Sequence, residues 1–338
     1  MSQHRPQSQH RPQSQHRAVT AIAAEPLADE LRPEAGAVAI VPELDDLYVA
    51  AVRAGGGRVT DDEDEARAIV WNSHSAAALG GYLDAHPKIG WVQLPLAGVD
   101  AYAPLIAKRP DLLWTSAKGS FAQPVAEHAL TLTLGLLREL PKRVLATTWD
   151  TQKTGTSLFG LEVLIVGAGG IALELIRLLQ PFGVTITIVR RSTDPVAGAD
   201  RTVTSEHLLD VLPDADVVVI AAAFTESTKQ LIGEVELKAM RDTAILVNIA
   251  RGGLVDTDAL AGALASRQIN GAGLDVTDPE PLPDGHPLWR EPLAIITPHV
   301  ADTPEMVQPL LAARIQENVE AFLGHGRFVG VVDAKLGY

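Results

Sequence analysis

The chain of 338 residues carries a formal charge of −14 at pH 7, with 46% hydrophobic residues, 21% charged residues and no cysteine. This length favours two domains of about 150 residues each, and the acidic balance argues against nucleic acid or an anionic membrane as the main partner. The lack of cysteine excludes disulfides and thiolate chemistry. The longest apolar run, 217–224, is far shorter than the ~20 residues of a membrane helix, and no secretory signal follows the N-terminus, so we expect a soluble, cytoplasmic protein.

Residues 1–17 contain a tandem repeat, in which Ser-Gln-His-Arg-Pro-Gln occurs twice and is followed by Ser-Gln-His-Arg. The repeat has no apolar side chain to bury, so we predict a disordered tail over 1–17. Its three histidines, His4, His10 and His16, are solvated in this interpretation and bind metal only opportunistically. We therefore predict no metal site.

From residue 37 the chain alternates short apolar runs with segments of helical spacing, a pattern typical of an α/β fold with a mostly parallel sheet. The first elements, in chain order, are predicted to be a strand at Ala37–Val41, a helix at Leu44–Ala54, and strands at Ala68–Trp71, Ile89–Leu96 and Leu112–Thr115. A long helix is then predicted over Val125–Leu140, with Pro141 as its stop. The polar stretch 142–160 suits a segment that crosses between domains or contacts a partner.

The apolar run that ends at Val166 leads into a glycine cluster and then into apolar residues at helical spacing. This predicts a buried strand, a tight turn and a helix N-terminus whose N–H groups favour an anion. The run Gly167-x-Gly169-x-x-Ala172 fits the dinucleotide fingerprint G-x-G-x-x-G/A. We predict that Gly167, Gly169, Gly170 and Ile171 bind the cofactor pyrophosphate, although the pattern alone also fits a strand–helix turn without a ligand.

A second strand–helix series begins at this fingerprint. Its six predicted strands are Val163–Val166, Val184–Val189, Val217–Ala222, Ala244–Asn248, Gly271–Val276 and Ala294–Thr297. Such a series makes a doubly wound dinucleotide-binding domain, and a last helix over 304–324 is predicted to return to the first unit. We therefore predict two Rossmann-like or flavodoxin-like domains: an NAD(P)-binding domain at 125–299, inserted into a discontinuous substrate domain formed by 18–124 and 300–338.

Three later stretches each place a polar group just after a predicted strand. They are Val247–Gly253, Gly273–Pro283 and Ile296–Ala301. Because ligands of open α/β sheets bind at the carboxyl ends of strands, Arg251, Glu280 and His299 are expected to converge on one crevice.

These motifs, in this order, resemble the D-2-hydroxyacid dehydrogenase family, as do the segments Ala97–Asp100, Val125–Glu127 and Thr225-x-x-Thr228. The resemblance implies that Arg251, Glu280 and His299 are catalytic. It also implies that the substrate carboxylate is bound by Arg251 and by backbone amides around Ala97 and Gly98. Further cofactor contacts are expected at Thr228, Ala250 and Asp275, where Asp275 accepts from the nicotinamide amide or, alternatively, only caps a strand end. His128 is interpreted as a packing or interface residue.

The expected chemistry accounts for these residue types. Reduction of a 2-keto acid delivers a hydride to the carbonyl carbon and leaves charge on its oxygen. A protonated His299 can neutralise that oxygen, and histidine exchanges protons near neutral pH. Glu280 would orient the imidazole through its other nitrogen, while the planar guanidinium of Arg251 can hold the carboxylate and the carbonyl oxygen.

The second strand of the series indicates the cofactor. NAD-binding domains place an acid after this strand to bind the ribose 2′-hydroxyl, but Arg190, Arg191 and Ser192 follow it here. Guanidinium groups pair with a 2′-phosphate that a carboxylate would repel. We therefore predict NADP in preference to NAD, with a solvated strand end as the alternative interpretation of these arginines.

The sequence thus predicts an NADPH-preferring reductase of a small 2-keto acid such as glyoxylate or hydroxypyruvate. The alternative is a nucleotide-sensing, corepressor-like binding protein on the same fold, which can retain similar polar groups. The long helix and the stretch after it resemble the family's dimer-forming segment, so we expect a homodimer.

Overall fold

The computed structural model describes residues 32–333. The tail that is predicted to be disordered, 1–17, lies outside the described residues, as do 18–31 and 334–338 of the predicted substrate domain. Within the described range the named strands form two separate sheets, and every pair of neighbouring strands is parallel. No helix between residues 32 and 333 is long and apolar enough to cross a membrane.

The smaller sheet has four strands in the order β1-β2-β3-β4. Its strands are near-continuous apolar runs, as expected where both faces of a parallel sheet are covered, and all five residues of β1 are buried. Its elements are β1 (Ala37–Val41), α1 (Asp46–Ala54), β2 (Ala66–Trp71), α2 (Ala76–Ala85), β3 (Trp91–Gln93), α3 (Ala103–Lys108) and β4 (Leu113–Thr115).

The larger sheet has seven strands: β5 (Glu162–Val166), β6 (Thr185–Arg190), β7 (Arg201–Thr204), β8 (Val217–Ile220), β9 (Ile245–Asn248), β10 (Gly271–Leu274) and β11 (Ala294–Ile296). Their spatial order is β11-β10-β9-β8-β5-β6-β7. The chain enters at β5, winds outward through β6 and β7, and then returns to the other side of β5 at β8. This order is that of a doubly wound sheet, so the predicted fold class is confirmed. The reversal opens a crevice at the carboxyl ends of β5 and β8.

The prediction of six strands in this sheet was one strand short. The missed strand, β7, reads Arg-Thr-Val-Thr and pairs only with β6 at the edge of the sheet. An edge strand has one partner and needs few apolar residues, and Val203 is its only buried residue. The apolar pattern that marks the central strands is therefore absent from β7.

The helices around the larger sheet are α4 (Ala122–Leu137), α5 (Leu140–Val144), α6 (Gly170–Leu179), α7 (Leu208–Val211), α8 (Glu234–Ala239) and α9 (Thr257–Ala265). Helix α4 packs against α6 and against β9, β10 and β11. The prediction that Pro141 stops this helix was wrong. Helix α4 ends at Leu137, Glu139 adopts a left-handed φ of 51°, and Pro141 occupies the first turn of α5. Proline suits that position because its missing N–H would have no helical partner there.

Helix α10 (Pro304–Phe322) returns to the smaller sheet and packs against α1. The buried Asn318 donates from Nδ2 to Gln93 Oε1 over 2.8 Å, and Arg314 donates from Nη1 to the carbonyl of Lys118 over 2.9 Å. In chain order, the larger sheet therefore lies between the elements of the smaller sheet and α10, which pack on each other. The exact boundaries at 124/125 and 299/300 stay predictions.

Candidate active site

The proton-donor candidate and its carboxylate partner meet beside the carboxyl ends of β10 and β11. Glu280 follows β10 and His299 follows β11, and Nδ1 of His299 lies 2.7 Å from Glu280 Oε1. Both side chains are about half exposed. Because an ionised carboxylate only accepts, the imidazole donates from Nδ1, which leaves Nε2 for a substrate.

The turn that carries His299 is held by Asp275, which is 2% exposed. The carbonyl of Asp275 accepts from the His299 N–H over 2.8 Å. Its carboxylate accepts from the N–H groups of Val300 (2.9 Å, at Oδ1) and Ala301 (3.0 Å, at Oδ2). His299 has a φ of 53°, in the left-handed region that costs a non-glycine residue roughly 1–3 kcal/mol unless its surroundings enforce it. Asp275 thus acts as the cap of this turn, and its expected contact with nicotinamide stays a prediction.

Arg251 spans the space between the two sheets. It follows β9, and its guanidinium contacts Asp100, which lies in the segment after β3, at 3.2 Å from Nε and 3.1 Å from Nη2. Nη1 donates to the carbonyl of Ala250 over 2.8 Å. A Cβ on Gly98 would lie 1.9 Å from Nη2, so only glycine leaves room for this arrangement.

Of the three predicted substrate-binding residues, the structure therefore brings Arg251 directly against Gly98, while Ala97 is packed, partly buried, against the core. Asp100 lies in one of the segments that resemble the family, but its pairing with Arg251 was not predicted. The two residues are 151 positions apart, so no local pattern could reveal the contact.

The backbone around Arg251 is fixed from both sides. Asn248, which is 1% exposed, donates from Nδ2 to the carbonyl of Arg251 over 2.9 Å and accepts at Oδ1 from the N–H of Ala250. A Cβ on Gly252 would lie 1.9 Å from the carbonyl oxygen of Thr277. The Asn-x-x-Arg-Gly pattern is thereby explained: the asparagine closes the turn and the glycine admits the neighbouring loop.

The glycine fingerprint forms an open cradle in the crevice of the larger sheet. Gly167 has a φ of 112°, and a Cβ there would lie 2.4 Å from the carbonyl oxygen of Ala221. Gly169 precedes α6, which begins at Gly170, and a Cβ on Gly169 would meet nothing within 4 Å. The helix N-terminus, whose first N–H groups have no partner within the helix, is therefore open at Gly169, which fits a dinucleotide pyrophosphate. Ile171 lies in the first turn of α6.

The predicted 2′-phosphate contacts lie at the end of β6. Arg190 is the last residue of the strand and is half-buried, Arg191 is exposed, and Ser192 donates from Oγ to Asp194 Oδ2 over 2.8 Å. Asp194 is an acid that the sequence analysis overlooked, four residues after Arg190 and beyond the position where NAD-binding domains carry theirs.

Two further predicted cofactor residues already have partners inside the protein. Thr228 donates from Oγ1 to the carbonyl of Ala223 and accepts from the N–H of Thr225, which closes the turn after β8. Ala250 is buried and bonded through both backbone groups to Asn248 and Arg251. Their predicted contacts with the cofactor stay predictions.

Asp302 was missed by the sequence analysis although it lies three residues after His299. Burial raises the pKa of this half-buried carboxyl group, the charges of His299 and Arg251 lower it, and that of Asp275 raises it. Desolvation prevails, so the folded protein disfavours the ionised form.

We expect Asp302→Asn to stabilise the protein at neutral pH. Below the unfolded pKa of about 3.9, a carboxyl whose pKa is raised by folding leaves the free energy of unfolding unchanged. As the pH rises through the pKa of the folded state, the carboxyl lowers the free energy of unfolding. The variant should therefore have a higher Tm than the native chain at pH 7.5 and a matching Tm at pH 4. The control is Asp242→Asn, since Asp242 is exposed and precedes β9, at the end of this strand away from Arg251. An equal gain at both pH values would contradict this assignment.

Comparison with known proteins agrees with this architecture. The model of the family "D-isomer specific 2-hydroxyacid dehydrogenase, NAD binding domain" matches residues 130–301. The chain is 35% identical over 302 residues to an uncharacterized protein of Corynebacterium melassecola in the proB 3′ region, covering 88% of this chain and 98% of that protein. It is 31% identical over 247 residues to a glyoxylate reductase of Aeropyrum pernix, covering 70% of this chain and 74% of that protein.

A solved structure of the same family also matches this chain. The D-isomer specific 2-hydroxyacid dehydrogenase of Xanthobacter autotrophicus, in complex with NADPH and MES, matches with a TM-score of 0.77 and 26% identity, over 90% of this chain and all of that one. The family expected from the motifs is thus confirmed. The chain belongs to the D-isomer specific 2-hydroxyacid dehydrogenases and is an NAD(P)-dependent oxidoreductase.

Proposed function

We propose that this enzyme reduces a small 2-keto acid, of the glyoxylate or hydroxypyruvate type, to the D-2-hydroxy acid, with NADPH as the preferred cofactor and His299 as proton donor. The observation that carries the proposal is the His299–Glu280 pair at 2.7 Å, close enough to Arg251 that the charges of both His299 and Arg251 act on Asp302. The glyoxylate reductase name of the Aeropyrum pernix relative supports the substrate class.

Arg251 retains donors for a substrate carboxylate. Within the described chain, Nε–H donates to Asp100 and one Nη1–H donates to the carbonyl of Ala250, so at least one N–H remains on each terminal nitrogen. These two donors and the backbone around Gly98 would hold the carboxylate and orient the keto group. The reduced nicotinamide, when bound, supplies a hydride to C2.

His299 supplies the proton that completes the reaction. Nδ1 stays bonded to Glu280, and Nε2 gives its proton to the carbonyl oxygen as charge develops there. The balance is one hydride to carbon and one proton to oxygen, and solvent then reprotonates the imidazole. Glu280 keeps the ring in the orientation that presents Nε2.

Removal of the imidazole by His299→Ala should lower kcat for hydroxypyruvate about 10²- to 10⁴-fold, since general-acid catalysis contributes that much. Glu280→Gln, which can still accept from Nδ1 through its amide oxygen, should lose less. NADPH binding, measured by fluorescence titration, should be unchanged in both variants. A native chain that binds NADPH but turns over neither glyoxylate nor hydroxypyruvate would contradict the reductase and favour the nucleotide sensor.

The cofactor preference is proposed from Arg190, Arg191 and Ser192. We expect Arg190→Asp to lower kcat/KM for NADPH about 10- to 100-fold, because a hydrogen bond to a charged group is worth about 1.5–3 kcal/mol. Asp194→Asn removes a carboxylate from the same loop and should shift preference further toward NADPH. The measurement is kcat/KM for both cofactors with each variant, and a native preference for NADH would refute the proposal.

We further propose a homodimer that forms through the segment after α4. Helix α5 has no buried residue, and the exposed apolar side chains between 140 and 159 are Leu140, Val144, Leu145, Trp149 and Phe159. Trp149 is 93% exposed and Val144 78%, which is unusual for a monomer surface.

Light scattering should give about twice the chain mass of 35.9 kDa. The double variant Val144→Glu with Trp149→Glu should be monomeric, because two buried charges would have no partners at the interface. Val235→Glu changes an exposed valine of α8 and should leave the dimer intact. A monomeric native chain would contradict this proposal.

A further inference from the structure

His128, on helix α4, contacts the polar groups that hold the catalytic turn. Its Nε2 lies 2.9 Å from Thr297 Oγ1 and 3.5 Å from Asp275 Oδ1. Thr297 Oγ1 lies 2.6 Å from the same Asp275 oxygen. Three side chains from α4, the segment after β11 and the segment after β10 therefore form one hydrogen-bonded group.

The donor and acceptor of each bond follow from proton counting. Asp275 accepts from the N–H groups of Val300 and Ala301, so its carboxylate acts as an acceptor, and the single hydroxyl proton of Thr297 goes to it. The hydroxyl oxygen can then only accept from His128. The imidazole must carry its proton on Nε2, and the bonds run from His128 through Thr297 to Asp275.

Asp275, the last acceptor in this series of hydrogen bonds, determines the position of His299. Asp275 binds the turn through its own carbonyl as well as its carboxylate, and the turn contains the left-handed backbone of His299. A buried carboxylate that loses one donor shifts toward the others or admits water. Either response moves the turn, and with it the imidazole relative to Glu280.

The donor end is attached to a rigid part of the fold. The side chain of His128 is 19% exposed, and α4 packs against α6, whose N-terminus forms the glycine cradle, as well as against β10 and β11. The ring of His128 thus joins the catalytic turn to the helix that lies on the cofactor-binding elements.

We propose that His128 is a positioning residue for the proton donor: its Nε2–H, acting through Thr297 and Asp275, holds the turn that places His299 against Glu280 and the reacting carbonyl. The catalytic part of this inference rests on the proposed role of His299. It assigns a role to His128, which the sequence indicated only as a packing or interface residue.

The test compares His128→Leu, which removes the donor, with His128→Gln, whose side-chain amide can replace Nε2–H at a similar reach. We expect His128→Leu to lower kcat for hydroxypyruvate about 10- to 100-fold, because a displacement of about 1 Å at a reacting group can cost about 10²-fold, with NADPH affinity unchanged. His128→Gln should recover most of the activity. Equal losses in both variants, or no loss in His128→Leu, would overturn the proposal.

Thr297→Val is the matched variant at the middle position, since it replaces the hydroxyl by a methyl of similar size. It should lose as much kcat as His128→Leu, and the double variant should lose no more than either single one, because both remove the same series of bonds. Additive losses would mean that the two residues act separately and would overturn the proposal.

A measurement without substrate separates this inference from the proposed function. In the cofactor-free protein, the Nδ1–H signal of His299 in ¹H–¹⁵N spectra should exchange with water faster in His128→Leu and Thr297→Val than in the native chain or His128→Gln. This change is expected even if hydroxypyruvate is not a substrate. An unchanged exchange rate would overturn the positioning role whatever the activities are.

Discussion

The carboxylate of Asp275 is the group on which the active site depends most. At 2% exposure it must be satisfied by protein donors, and the donors available are the N–H groups of the turn that follows β11 together with Thr297. Meeting this requirement forces the chain into the left-handed backbone at His299 and brings the imidazole to Glu280. A desolvated charge at the end of β10 therefore determines the position of a half-exposed group in the crevice.

The contact between the two sheets is of a different kind. Arg251 and Asp100 are 31% and 45% exposed, and an ion pair so accessible to water contributes about 0–1 kcal/mol. Such a weak pair can be rearranged when an anionic substrate enters. The backbone of Arg251, by contrast, is fixed by the buried Asn248 and by the close approach of Gly252 to Thr277. The backbone of Arg251 is thus held rigidly while its guanidinium is held only weakly, which suits the proposed role of binding a substrate carboxylate through the N–H groups that Asp100 and Ala250 leave free.

Much of the fold could be predicted because the central strands are apolar runs bounded by turn residues. β1 coincides with its predicted range, and the strands of the larger sheet lie within one or two residues of theirs. Strand β7 was not predicted because an edge strand buries too few residues to show an apolar pattern. The end of α4 was placed wrongly at Pro141 because proline occurs both after helices and in their first turn. The polar residues directly after strands were predicted as a group because carboxyl ends of parallel strands share one edge. The contacts of Arg251 with Asp100 and of Thr297 with His128 were not, since each joins elements far apart in sequence.

The same distinction explains why local motifs predicted the cofactor cradle better than they predicted the supports of the catalytic turn. The glycine fingerprint works through backbone geometry within a few residues: a positive φ at Gly167, free space at Gly169 and a helix that begins at Gly170. The turn of His299, in contrast, is supported by side chains from α4, from the segment after β10 and from the segment after β11, which are distant in sequence and adjacent only in the folded chain. A family motif can therefore indicate a candidate proton donor, while the hydrogen bonds that support its turn become visible only in the folded chain.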